Sequence, residues 1–211
     1  TLPRGWERMY PNYVGSEAVL ASENLVFRQV HCDLESQNAA LHPFLRNTVG
    51  CMEFGGVFLN KRLNRLNGAP DERGRIGGTI RRTTDAAELA IAVLYQNPIQ
   101  NFAITPNNLT DAPAEAIAFL REVPTTWDET RLIDGSPGRC VVLARRHGAT
   151  WYVGAVNAGE KPLSVDVRAI EARLGGTASV LSTGKDGLER GPAPKKPLRI
   201  PKDDGAVLVI R

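Results

Sequence analysis

The alternation of apolar and polar positions changes character near residue 124. Before it, helical and strand patterns are mixed. Ser16 suits a helix N-cap, since its hydroxyl can accept from the orphan backbone N–H groups. A short helix is therefore predicted through Ala18, Val19, Leu20 and Ala21. Thr48–Phe54 reads as a short buried strand ended by Gly55-Gly56. Asp85 and Glu88 form an Asp-x-x-Glu capping box ahead of Leu89, Ala90, Ile91, Ala92, Val93 and Leu94. That run, with Ala87, is apolar almost all round, so its helix should be buried on more than one face. A further helix opens at Asp111, carries Pro113 in its first turn, runs from Ala114 to Val123 and is closed by Pro124.

From Thr125 onward the pattern is that of short strands. Arg139–Arg145, Thr150–Val156, Leu163–Val167, Ala178–Leu181, Leu198–Ile200 and Ala206–Ile210 are β-branched and aromatic runs. Turn signals separate them: Asp134-Gly135, His147-Gly148, Ala158-Gly159, Asp186-Gly187 and Asp203-Asp204-Gly205. Strands at such intervals predict an antiparallel sandwich over 125–211. No internal repeat is visible.

Composition narrows the class without naming a function. Of 211 residues 42% are apolar, so a sizeable core can form without disulfides. With 26 Lys+Arg against 23 Asp+Glu, the net charge of +3 gives no argument for a nucleic-acid partner. No apolar run is long enough to span a bilayer as a helix. Cys32, Cys51 and Cys140 lack CxxC spacing, so they read as three buried small hydrophobes and not as a zinc site. The chain opens on Thr-Leu-Pro-Arg with no initiator Met, which predicts either a removed leader or a piece of something longer.

Two stretches carry candidate chemistry. The basic, Gly-rich segment 60–82 holds Lys61, Arg62, Arg65, Arg73, Arg75, Arg81 and Arg82. It reads as a solvated loop, with a phosphate or polyanion site as the sharper alternative. Near the start, Trp6, Tyr10 and Tyr13 lie among Arg4, Glu7, Arg8, Glu17 and Glu23. Rings that stack on pyranose faces beside charged groups that bind hydroxyls suit a sugar site. Glu17 and Glu23 are six positions apart. On one continuous helix they would point about 120° apart, so they meet only if the helix ends or bends between them. Together they would raise one pKa or hold a hard cation such as Ca²⁺; apart, they are surface glutamates. His31, His42 and His147 show no metal-ligand spacing, and there is no P-loop or GxGxxG.

Leu2-Pro3-Arg4-Gly5-Trp6-Glu7-Arg8-Met9-Tyr10-Pro11-Asn12, followed by Glu17-Ala18-Val19 and Glu23, resembles the catalytic region of glycoside hydrolase family 97. Later blocks agree in order: Pro43-Phe44-Leu45-Arg46-Asn47, Gly50-Cys51-Met52-Glu53-Phe54, Thr83-Thr84-Asp85-Ala86, Val123-Pro124 with Trp127-Asp128-Glu129-Thr130, Pro137-Gly138-Arg139, and Ala144-Arg145-Arg146 with Trp151-Tyr152-Val153-Gly154. The likeness covers about residues 1–160. It implies an α/β plus all-β chain: residues 1–124 as the C-terminal portion of a (β/α)₈ TIM barrel, and 125–211 as an antiparallel β-sandwich. A whole barrel takes about 250 residues, so the resemblance implies that an N-terminal sandwich and earlier barrel segments belong to the same enzyme.

The implied activity is that of a calcium-dependent α-glycosidase, cleaving α-glucosides or α-galactosides. The resemblance makes Glu17 and Glu23 ligands of Ca²⁺, Glu23 also an acid/base catalyst, and Glu53 and Trp6 substrate-binding residues. It further implies a periplasmic or secreted location. Two departures stand out: Ala21 where the family tends to have Gly, and Glu53 where it often has Asp. The competing reading is a non-catalytic glycan-binding or scaffold protein that keeps the fold. A third reading, residues 125–211 as a separate carbohydrate-binding sandwich, lacks an aromatic platform, because Trp127, Trp151 and Tyr152 are expected to pack inward.

Overall fold

The computed structural model describes residues 15–18, 22–53, 56–64, 66 and 68–211; of residues 15–18, 22, 23, 49 and 53 the backbone alone is described. In chain order the first half comprises β1 (Gly15–Ala18), α1 (Ser22–Phe27), α2 (Gln29–Asp33), α3 (Glu35–Leu41), α4 (Arg46–Val49), β2 (Met52–Glu53), β3 (Arg62–Leu63), β4 (Thr79–Ile80), α5 (Asp85–Leu94), α6 (Asn108–Asp111) and α7 (Ala114–Glu122). The second comprises β5 (Glu129–Ser136), β6 (Cys140–His147), β7 (Thr150–Asn157), β8 (Leu163–Val165), α8 (Val167–Leu174), β9 (Ala178–Gly184), β10 (Gly187–Pro192), β11 (Leu198–Ile200) and β12 (Asp204–Ile210).

The second half is built on one antiparallel sheet in the order β10-β9-β12-β7-β6-β5. A short pair, β8 with β11, forms a second layer. All seven residues of β12 are buried, because the strand is covered on both faces. Its residues alternate between two clusters. Val207 and Val209 face α5 together with Val141, Leu143, Tyr152, Val156 and Leu181. Ala206, Leu208 and Ile210 face Val165, Val167, Ile170 and Ile200. The predicted sandwich is thus present, with a thin second layer completed by α8. Trp151 and Tyr152 are buried as expected, and half-buried Trp127 meets Tyr152 edge-on at 5.6 Å.

Helix α5 is the centre of the molecule. Ala86 through Leu94 are all buried, and α5 lies against both β7 and β12. The close approach depends on glycine. A Cβ on Gly205 would lie 2.6 Å from the Ala87 Cα, and one on Gly154 would lie 2.8 Å from the Ala90 carbonyl. The expected boundary near residue 124 falls between α7 and β5, and the apolar cluster around α5 continues across it.

Several local expectations are corrected. Gly15–Ala18 is a strand, paired in parallel with β2, so Ser16 does not cap a helix through Ala18; the helix begins at Ser22. The strand foreseen over Thr48–Phe54 shrinks, among its described residues, to Met52–Glu53, because Arg46–Val49 is helical. The cap of α5 is Thr84, whose hydroxyl accepts from the Ala87 N–H at 3.2 Å. Glu88 does not reach back as a capping-box acid but turns into the core. Leu163–Val167 is cut short by α8, which opens at Asp166, whose carboxylate accepts from the Ala169 N–H at 3.0 Å. Asp134-Gly135 is not a turn but lies inside β5 at a register shift. All three cysteines are free; Cys32 is buried, but Cys51 and Cys140 are only half-buried. Among the described residues no helix is long and apolar enough to cross a membrane. The parallel pairing seen is that of β1 with β2, and the described residues do not display a barrel.

Candidate functional site

Three of the four expected site residues fall on β1, β2 and α1. Glu17 is on β1 and Glu53 ends β2. The register pairs Gly15 with Met52 and Ala18 with Glu53, so both acids sit at the C-terminal ends of adjacent parallel strands. In α/β units that is the end where loops gather functional groups. Glu23 follows in the first turn of α1. Glu17 and Glu23 therefore do not share a continuous helix, and the helical geometry that would hold them 120° apart does not apply. The side chains of Glu17, Glu23 and Glu53, and Trp6, Tyr10 and Tyr13 altogether, lie outside the described residues. Among the described residues no group of three His, Cys, Asp or Glu side chains is placed to hold a metal.

Between α3 and α5 is an acidic cluster that the sequence reading missed. Glu35 from α3 and Glu88 from α5 are 4% and 0% exposed. The Thr83 hydroxyl lies between them, 3.1 Å from Glu35 Oε2 and hydrogen-bonded to Glu88 Oε1. The Phe58 N–H donates to Glu88 Oε2 at 2.9 Å. Burial pushes the Glu35 carboxyl well above its ordinary 4.5, and the Glu88 charge adds to it. Burial also raises Glu88, opposed by Arg81 and by the Thr83 and Phe58 hydrogen bonds. One threonine hydroxyl has a single proton to give. It donates to Glu88, and Glu35 holds its own proton.

Arg81 supplies the neighbouring positive charge. It is 4% exposed and paired with Asp85. This corrects the reading of segment 60–82 as uniformly solvated: Arg73, Arg75 and Arg82 are exposed, but Arg81 belongs to the core. The cluster is a structural brace. Its carboxyls are sealed from solvent, so the described residues give a substrate no route to them. One signal could have found Glu88: it is the single acid inside an otherwise apolar run, and such a position must bury its charge.

A polar seam joins the two halves. The Thr84 N–H donates to the Asp203 carbonyl at 3.1 Å, and the Ser36 hydroxyl donates to the Asp203 carboxylate. The Thr84 and Thr183 hydroxyls both donate to the Asp204 carboxylate, the latter at 2.8 Å. The Gly138 N–H donates to the Ala40 carbonyl at 3.1 Å.

A doubly covered antiparallel sheet fastened to helices, with acids gathered at the ends of a parallel pair, defines a β module attached to an α/β unit. Residues 126–193 match the family model described as "Glycosyl-hydrolase 97 C-terminal, oligomerisation". The chain is 36% identical over 196 residues to a protein of Streptomyces bingchenggensis named "Probable retaining alpha-galactosidase", which covers 91% of this chain and 26% of that protein. It is 32% identical over 155 residues to "Retaining alpha-galactosidase" of Bacteroides thetaiotaomicron, 73% of this chain and 22% of that one. Among solved structures it matches a beta-arabinopyranosidase with a TM-score of 0.83 and 55% identity, over 99% of this chain and 33% of that chain. A family 97 enzyme from Pseudoalteromonas sp. strain K8, at 20% identity and a TM-score of 0.62, shares the fold over 83% of this chain and 28% of that one.

The chain belongs to glycoside hydrolase family 97 and corresponds to the C-terminal part of its enzymes. It spans about a quarter of the length of the curated relatives it matches, 26% and 22%.

Proposed function

We propose that this chain is the C-terminal part of a retaining glycosidase that cleaves β-L-arabinopyranosides and α-D-galactosides, with the last units of a (β/α)₈ barrel in residues 1–124. The observation that carries the reading is the 55% identity to a beta-arabinopyranosidase over 99% of the chain. The two curated relatives bear the name of alpha-galactosidases. These two substrates are one stereochemical class: β-L-arabinopyranose is α-D-galactopyranose without the C6 hydroxymethyl group. A pocket that reads the ring hydroxyls and the anomeric configuration accepts both, and the room left at C5 sets the preference between them. Retention requires two carboxyl groups about 5–5.5 Å apart, one protonating the leaving oxygen and the other attacking the anomeric carbon. Glu23 is the acid/base residue in this reading, Glu53 and Trp6 bind substrate, and the partner carboxylate comes from the rest of the enzyme.

Glu17 and Glu23 are also the residues that would hold Ca²⁺. Their chemistry fits: both are hard oxygen donors, and the backbone brings one at a strand end and the other to the helix that follows. Two glutamates are a partial shell for an ion that takes six to eight oxygens, so further ligands would come from beyond this chain. The bound ion would orient sugar hydroxyls. We further propose an exported enzyme, periplasmic or secreted, which cell fractionation checks.

The test uses the complete enzyme with p-nitrophenyl β-L-arabinopyranoside, α-D-galactoside and α-D-glucoside. The expected result is release from the first two, the arabinoside being faster, and little from the glucoside. Preference for the glucoside would overturn the substrate class. Sugar binding with no release from any of the three would favour the non-catalytic glycan-binding reading. Calcium titration of the same enzyme against its Glu17→Gln, Glu23→Gln variant should show weaker binding in the variant; equal affinity would remove calcium from these residues.

A further inference from the structure

The helices between β1 and β2 divide into two sets. Helix α3 is the crossover helix of the parallel pair, packed on α5 and on β6 and β7 of the sheet. Helices α1 and α2 precede it and lie against β4 instead, so they belong to the connection that leaves the C-terminal end of β1. That connection is clamped on its inner side. Leu25 and Cys32 are buried with Phe58 and Leu63. The Leu25 carbonyl accepts from the Thr79 hydroxyl and from the Cys32 thiol, the latter at 3.3 Å. The Gln29 amide clasps β4 twice, donating to the Ile80 carbonyl and accepting from the Ile80 N–H, each at 2.8 Å.

The outer side carries exposed Phe27, Val30 and Leu34. Phe27 is 75% exposed, more than any other large apolar side chain among the described residues. A single apolar side chain at a surface is ordinary. An aromatic ring two positions from a buried anchor, on a segment fixed from behind, is held ready for contact. Its place in α1 says with what. Glu23 and Phe27 are four residues apart in α1, so they stand on one face of that helix, one turn from each other. In the function proposed above, Glu23 protonates the oxygen of the departing group, so the part of the substrate nearest that turn is the departing group itself. A phenyl ring has no donor or acceptor with which to read hydroxyls. It offers a flat apolar face, which suits the C–H face of a second sugar or an aryl ring.

We propose that Phe27 is the stacking platform for the leaving group. It favours substrates whose leaving group presents a flat ring over those that lose a small one. The proposal rests on the glycosidase reading with Glu23 as its acid, and adds to it a determinant of leaving-group choice.

The test is made on the complete enzyme with two galactosides that share one glycone. The leaving group of p-nitrophenyl α-D-galactoside is an aryl ring; that of α-D-galactosyl fluoride is one atom. Phe27→Ala should lower kcat/KM on the aryl substrate about tenfold, through a raised KM, as expected for the loss of one ring contact. On the fluoride the change should stay under about twofold. Phe27→Trp, which keeps a ring, should retain the aryl activity. The unfolding midpoint of Phe27→Ala should match that of the unaltered enzyme. Equal losses on the two substrates would overturn the proposal, because a ring covered by another part of the enzyme acts on both alike. So would an unchanged KM for the aryl substrate, or a midpoint lowered by the substitution. Failure of the unaltered enzyme to turn over either galactoside is a separate result: it removes the glycosidase reading, and the platform with it.

Discussion

Two faces of α5 solve the problem of burial in opposite ways. Toward the sheet, α5 presents Ala87 and Ala90 to Gly205 and Gly154, and the contact is backbone against backbone with nothing polar to satisfy. Toward α3, the same helix buries Glu88 beside Glu35, with Thr83, Arg81 and the Phe58 N–H arranged to satisfy it. The first face holds by shape alone, so it tolerates no added atom. The second holds by hydrogen bonding, so it tolerates a change of charge but not the loss of a partner.

The sharpest way to break the first face is Gly205→Ala. The new methyl would lie 2.6 Å from the Ala87 Cα, a backbone atom that moves only if α5 moves. A loss of about 3 kcal/mol is expected from chemical denaturation. Glu88→Ala comes next. It leaves the Phe58 N–H without an acceptor and Thr83 without one of its partners, and should cost about 2 kcal/mol. Glu88→Gln should cost less than about 1 kcal/mol, since the isostere keeps an acceptor for Phe58 and removes a buried charge. A Gln variant as damaging as the Ala variant would show that the carboxylate's charge, and not its shape, holds this face together.

The acid pair also gives stability a pH dependence. The folded carboxyls of Glu35 and Glu88 sit above their ordinary 4.5, so the folded state binds more protons than the unfolded one above that pH. Stability is then fullest below pH 4.5 as far as these groups are concerned, and falls as pH rises through their folded values. Glu35→Gln should flatten that slope in denaturation series taken at successive pH values; an unchanged slope would remove the pair as its source. The seam is expected to give a modest loss: Thr84→Ala removes the α5 cap and one donor to Asp204, about 1 kcal/mol, measured by chemical denaturation.

The dry face was legible in the sequence and the wet one was not. Thr150–Val156 and Ala206–Ile210 announce strands because β-branched and aromatic residues dominate them with no charged residue between, and Leu198–Ile200 is a strand with the predicted bounds. The apolar run of α5 likewise stated its own burial. Helix α8 was lost because Leu163, Val165 and Val167 continue a strand-like alternation, while its helical signal, Asp166 followed by Val167, Ile170 and Leu174, begins inside that run. Nothing local to Glu35 or Arg81 marks them as buried. Their environment is made by residues up to about fifty positions away, and a charged side chain looks the same in sequence whether it meets water or a partner. For the proposed sugar site, the residue types near the chain start suggested chemistry, but only the family resemblance assigned roles to Glu17, Glu23 and Glu53. The strand pairing of β1 with β2 could not be read from either.

Because α5 is walled in by β7 and β12 yet is encoded before residue 124, the division of labour in this chain does not follow the order of its amino acids. A chimera joined at residue 124 would inherit a sheet whose inner surface was shaped for another protein's helix. Recombination between relatives should therefore succeed where the crossover lies upstream of Thr83, so that α5 travels with Gly154 and Gly205 as one heritable unit.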